Sequence, residues 1–122
     1  MILPNLAYFR ARTTDEALAL RAEHPRGRYM AGGTDLLPQV RCGRCNPVYR
    51  EGSCTTPEAV IDIKEAAELG SIDEREDGSL ALGAAVPVAE VATHPLVRTR
   101  YPLLVDCCLA LGSYPLRNRA TV

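Results

Sequence analysis

Apolar and polar positions alternate loosely over Leu6–Arg12, the period of a half-exposed first strand. Thr14, Asp15 and Glu16 then change the pattern. A hydroxyl or carboxylate that can cap a helix is followed by acids in its first turn, and Ala17, Leu18, Leu20 and Arg21 continue it until Pro25 and Gly27. Arg28–Ala31 predicts a short strand that feeds a paired glycine, and Leu36–Val40 a helical turn in which Pro38 sits early enough to be tolerated. Residues 41–57 carry no period and much Gly, Arg, Pro and Cys, so they are expected to be a loop or insertion. Ala59–Ile63 (AVIDI) is β-branched and apolar, as a buried strand should be. Gly70–Glu76 and Ser79–Ala84 flank Asp77-Gly78, a hairpin signal. A helix is expected from Pro87 to His94-Pro95 and a second over Leu96–Leu111, broken by Tyr114-Pro115. Leu116–Val122 then leaves as an extended basic segment. The sum is an α+β chain: β-α-β, then a small mixed sheet, then two helices.

The segment Met30–Val40 (MAGGTDLLPQV) carries the strongest chemical signal. Gly32 and Gly33 have no Cβ, so their backbone can adopt positive φ and approach a ligand closely. Thr34 and Asp35 are good residues for a helix start. A strand that delivers glycines to a helix start leaves several backbone N–H groups without partners, which suits a phosphate or diphosphate. An ordinary strand-to-helix turn is the competing reading of the same residues.

Composition narrows the classes. With 122 residues and 47% hydrophobic content there is room for one small domain with a core. A net charge of −1 gives no electrostatic case for nucleic acid or an anionic membrane. Trp is absent and there is one Phe, so base stacking is not expected. No apolar run approaches the roughly 20 residues that span a bilayer. Basic residues follow the apolar ones at the N-terminus, the reverse of a secretory signal, and the expected location is the cytoplasm. The five cysteines are an odd count and are expected as free thiols there. Cys42-x-x-Cys45 with Cys54 could hold zinc or iron, but three ligands in one loop fall short of a closed tetrahedral site. Asp62, Glu65 and Glu68 are spaced for a solvated face. His94 before Pro95 marks a helix C-terminus, and Arg117 and Arg119 suit a phosphate, a partner subunit or an exposed strand end. No catalytic acid, base or nucleophile is visible.

Met30–Arg41 (MAGGTDLLPQVR) closely resembles the first cofactor motif of the FAD-binding subunits of molybdenum hydroxylases, a group that includes xanthine dehydrogenase, aerobic carbon monoxide dehydrogenase and 4-hydroxybenzoyl-CoA reductase. Leu111–Val122 (LGSYPLRNRATV) resembles the approach to the family's second motif, which continues into Gly-Gly-Asn. The strand, hairpin and helix order between them also fits, so the resemblance covers nearly the whole chain apart from residues 41–56.

The resemblance implies the N-terminal part of a PCMH-type FAD-binding domain over residues 1–122. It implies FAD as cofactor, with Ala31, Gly32, Gly33, Thr34, Asp35 and Leu36 at its diphosphate, and Leu111, Thr121 and Val122 near it. Asp35 would contribute its N–H, because a carboxylate repels a diphosphate. The implied partners are a molybdopterin-binding large subunit and a 2Fe–2S small subunit, with electrons passing through FAD to an external acceptor. The sequence ends before Gly-Gly-Asn, which suggests an incomplete domain, and the Cys-bearing insertion at 41–57 is not a family feature. Two alternatives follow: a truncated remnant that binds no flavin, or a small metal-binding module on the Cys42, Cys45 and Cys54 loop.

Overall fold

A computed structural model describes residues 5–42 and 57–122. In chain order they form β1 (Ala7–Arg10), α1 (Thr14–Glu23), β2 (Arg28–Met30), α2 (Leu36–Cys42) and β3 (Ala59–Asp62). There follow a single 3₁₀ turn (Ala67–Leu69), β4 (Ile72–Glu74), β5 (Leu80–Leu82), α3 (Val88–Thr93), α4 (Pro95–Arg100), α5 (Pro102–Ala110) and α6 (Tyr114–Arg117).

The apolar run AVID becomes the middle strand of a parallel three-stranded sheet ordered β1-β3-β2. Phe9 and Tyr29 flank Ile61 in register from either side. All four residues of β3 are buried, as expected for a strand covered on both faces. Ala11, Ala17, Ile61 and Ile63 form the buried cluster that joins this sheet to α1. The expected strands are shorter than their sequence patterns because pairing stops where the partner strand ends. Leu6–Arg12 narrows to Ala7–Arg10, and Arg28–Ala31 to Arg28–Met30. Thr13, and not Thr14 or Asp15, caps α1: its hydroxyl accepts from the Glu16 N–H at 3.1 Å, and the Glu16 carboxylate accepts from the Arg12 N–H at 2.8 Å.

The Asp77-Gly78 hairpin is present as a separate antiparallel pair, β4 with β5, narrower than the expected Gly70–Glu76 and Ser79–Ala84. Where two helices were expected there are four. Pro95 and Pro102 each occupy the first turn of a new helix, where a missing N–H costs nothing, so the apolar stretch is cut into α4 and α5. Pro115 does the same for α6, so Leu116 and Arg117 are helical and only the last residues of the expected extended segment are strand-like. Val86, Val88, Val91, Ala92, Val97, Cys108 and Ala120 make the second core, against which Leu80 and Leu82 of β5 pack.

Candidate functional site

The chain leaves β2 at Met30, turns through Gly32–Asp35 and enters α2. The carbonyls of this turn start the helix: the Leu37 N–H donates to Gly33 at 3.1 Å and the Gln39 N–H to Asp35 at 3.1 Å. Its amides do the opposite. Among the described residues, the N–H groups of Gly32, Gly33, Thr34, Asp35 and Leu36 have no acceptor. Gly33 takes φ +72°, a conformation that side chains rarely adopt. Gly32 is needed for a different reason. The backbone of Arg119 and Ala120 lies against it, with the Ala120 Cα 3.1 Å from where a Cβ would stand and the Arg119 carbonyl closer still.

That contact brings the two ends of the sequence together. A cleft of about 440 Å³ opens between them. One wall is Gly32, Gly33, Thr34, Leu37, Pro38 and Arg41; the other is Ser113, Pro115, Leu116 and Arg119. Neither Arg41 nor Arg119 has a carboxylate partner among the described residues. The cleft is therefore lined by a turn whose amides are unpaired among the described residues, by two arginines and by apolar residues, a set that fits an anion carried on a larger organic molecule.

Of the residues suggested by the sequence, Gly32, Gly33 and Thr34 line this cleft. Ala31, Asp35 and Leu36 flank the same turn without lining it, and the Asp35 side chain is exposed. Leu111 and Val122 lie outside the cleft, 44% and 56% exposed, and Thr121 forms a bridge with Pro87. Leu37, Pro38, Arg41, Ser113, Pro115 and Leu116 were not foreseen. Leu37 and Arg41 are four residues apart and so share a helix face, which the sequence could have shown. The far wall could not be read from spacing, because it lies some eighty residues away in the chain.

Asp62, read from the sequence as part of a solvated face, is instead buried at the end of β3, 3% exposed. It accepts from the Tyr8 hydroxyl at 2.5 Å and from the Lys64 N–H at 3.0 Å, and pairs with the Lys64 ammonium at 2.8 Å. Burial pushes its carboxyl up, but the hydrogen bonds from Lys64 and Tyr8 outweigh this and hold it below the ordinary value. His94 caps the C-terminus of α3, as expected. Cys107 is exposed and Cys108 buried, both as free thiols. Burial, with Cys107 beside it, raises the Cys108 thiol above its ordinary value. Cys45, Cys54 and the side chain of Cys42 lie outside the described residues, and with them the metal reading of that loop. Among the described residues no group of three His, Cys, Asp or Glu is placed to hold a metal, and no helix is long and apolar enough to cross a membrane.

The fold and the cleft together define a class. Residues 4–122 match the model of the FAD binding domain in molybdopterin dehydrogenase, and the chain belongs to that family. Among curated relatives, it is 32% identical over 115 residues to a xanthine dehydrogenase FAD-binding subunit of Escherichia coli, covering 94% of this chain and 36% of that one. It is 31% identical over 124 residues to the carbon monoxide dehydrogenase medium chain of Hydrogenophaga pseudoflava, covering 100% of this chain and 39% of that one.

Solved structures agree. The chain is similar to carbon monoxide dehydrogenase from Hydrogenophaga pseudoflava (TM-score 0.82, 31% identity, 99% of this chain and 39% of that one). It is similar also to quinoline 2-oxidoreductase from Pseudomonas putida (TM-score 0.83, 28% identity, 99% of this chain and 39% of that one). The chain thus spans well under half the length of the relatives it matches.

Proposed function

We propose that this chain holds the diphosphate of FAD in the cleft between Gly32–Thr34 and Ser113–Arg119, as part of an electron-transfer subunit of a molybdenum-containing hydroxylase. The observation that carries this reading is the row of amides from Gly32 to Leu36 without acceptors among the described residues, beside a cleft that Arg41 and Arg119 also line. Donors held by the fold need no rearrangement to meet an anion, and two cations offset the charge of a diphosphate. Gly32 and Gly33 let the backbone come close, Thr34 adds a hydroxyl, and the N–H groups of Asp35 and Leu36 extend the row. The exposed Asp35 carboxylate stays off the cleft, which avoids repelling the ligand. Leu111, Thr121 and Val122 contact the cofactor beyond the cleft in this reading, as does Ala31 at the turn's entry.

The bound flavin would supply the redox chemistry. The protein's part is to bind it, orient it and shield it. The assembly would contain a molybdopterin-binding large subunit and a 2Fe–2S small subunit, with FAD between the clusters and an external acceptor. The names of the relatives, a medium chain among them, support this arrangement. A reducing cytoplasm suits the free thiols of Cys107 and Cys108.

Titration of the purified protein with FAD, followed by flavin absorbance and fluorescence quenching, tests the reading. Saturable binding that weakens as salt rises is expected, because the contact is ionic in part. A colourless protein that takes up no FAD would overturn it, and an iron–sulfur spectrum without flavin would favour the cysteine loop instead.

A further inference from the structure

The cleft's far wall is held from behind by one side chain. Arg117, at the end of α6, turns back to the C-terminus of α5, where its Nη1 donates to the carbonyls of Leu109 at 3.2 Å, Leu111 at 3.0 Å and Gly112 at 3.0 Å. Carbonyls at a helix end have no partner within the helix, and a cation there also meets the negative end of its dipole. Gly112 at φ +47° reverses the chain between the two helices. On the other side of α6, the Arg119 and Ala120 N–H groups donate to Leu116, and the Ala120 carbonyl accepts from Val88 at 2.9 Å. Arg117 therefore anchors the near end of a segment whose far end is fixed on Val88 and whose middle rests on Gly32.

We propose that Arg117 is the positioning residue that sets the separation of the two walls of the cleft, and so its fit to the diphosphate-bearing ligand. The ligand part of this inference rests on the FAD reading above; the wall part does not. Arg117 does not itself line the cleft. Its effect must travel through α6 to Arg119 and on to Gly32. All three bonds come from Nη1, and a lysine keeps the charge and three donors but ends one bond short of that nitrogen, so Arg117→Lys should pull the three carbonyls off their anchor and let the wall drift.

Amide NMR of the purified protein tests this with Arg117→Lys, and with Arg117→Ala where that variant folds. The resonances of Gly32 and Gly33 should move or broaden although neither residue touches Arg117, while those of Val60 and Ile61 stay in place. The Kd for FAD should rise about tenfold, equivalent to the loss of one good interaction. Gly32 and Gly33 resonances and a Kd that match the parent, with changes confined to Leu109–Leu116 and a lowered Tm, would overturn the proposal and leave Arg117 as a helix cap only. A parent protein that binds no FAD would refute the cofactor reading, and the Gly32 and Gly33 resonances would still decide for or against Arg117.

Discussion

Replacing Gly32 by alanine adds a single methyl group at the place where the two halves of the cleft meet. The new Cβ would stand 2.8 Å from the Arg119 carbonyl carbon and 3.1 Å from the Ala120 Cα, both backbone atoms, with the Arg119 oxygen nearer than either. Backbone cannot swing aside as a side-chain tip can, and the segment is fixed by the Val88–Ala120 hydrogen bond and by the packing of buried Ala120. Overpacking of this kind costs about 3 kcal/mol, the upper part of the usual range. Gly33→Ala is the inner comparison. There the cost comes from φ +72°, about 1–2 kcal/mol, because the nearest atoms are the ends of Leu37 and Met30 side chains at 3.2 Å, which can yield. Gly70→Ala is the outer one: its nearest neighbour is the Ala67 carbonyl at 3.5 Å, and its φ is −102°, so a Cβ is accommodated and the change should lie within about 0.5 kcal/mol of zero or be slightly stabilising. At about 4 °C per kcal/mol, Gly32→Ala should lower Tm by roughly 12 °C, Gly33→Ala by less, and Gly70→Ala hardly at all. Thermal and urea unfolding of the three variants gives the order directly. A Gly32→Ala variant as stable as Gly70→Ala would mean that Arg119 and Ala120 do not rest on the glycine turn, and the cleft described above would not exist.

Asp62→Asn should destabilise the protein by about 1–3 kcal/mol at neutral pH, since it removes the charge that Lys64 and Tyr8 both serve. The folded carboxyl titrates below its ordinary value, so the stability it contributes is present above about pH 3.9 and is lost as pH falls through the lower folded value; urea midpoints of parent and variant should converge there. Arg41→Glu with Arg119→Glu should reverse the salt dependence of FAD binding, since salt then screens a repulsion, and weaken binding at low salt at least tenfold, a loss of about 1.4 kcal/mol, measured by titration at two ionic strengths. Iodoacetamide followed by peptide mass mapping should label Cys107 well before Cys108, whose thiol is buried and harder to deprotonate.

Local signals in the sequence were reliable wherever the chemistry itself is local. The all-apolar character of Ala59–Ile61 announces a strand covered on both faces, Asp77-Gly78 announces its hairpin, and the Gly32-Gly33 pair announces a backbone that something must approach. Thr13 was within reach too, as the hydroxyl three residues before Glu16. What spacing cannot carry is which distant backbone does the approaching. Gly32 meets Arg119, and Arg41 shares a cleft with Pro115, only because β3 and the α3–α6 layer fold between them. Prolines misled in one respect. The pattern ends one helix at Pro95 and carries another through Pro102, whereas each proline begins a new helix, since the residue that cannot continue a helix is well suited to start it.

The sheet order has a consequence for how the chain acquires its shape. Among the described residues β1 and β2 are not neighbours, and each pairs with β3, which follows β2 by nearly thirty residues. During synthesis the two early strands must wait, with open edges, until Asp62 has emerged from the ribosome. Assembly governed by such distant partners is slow and exposes the waiting edges to association with other chains. Expression at low temperature, or with holdase chaperones present, should therefore raise the yield of monomeric protein more than stabilising changes in α3–α6 would.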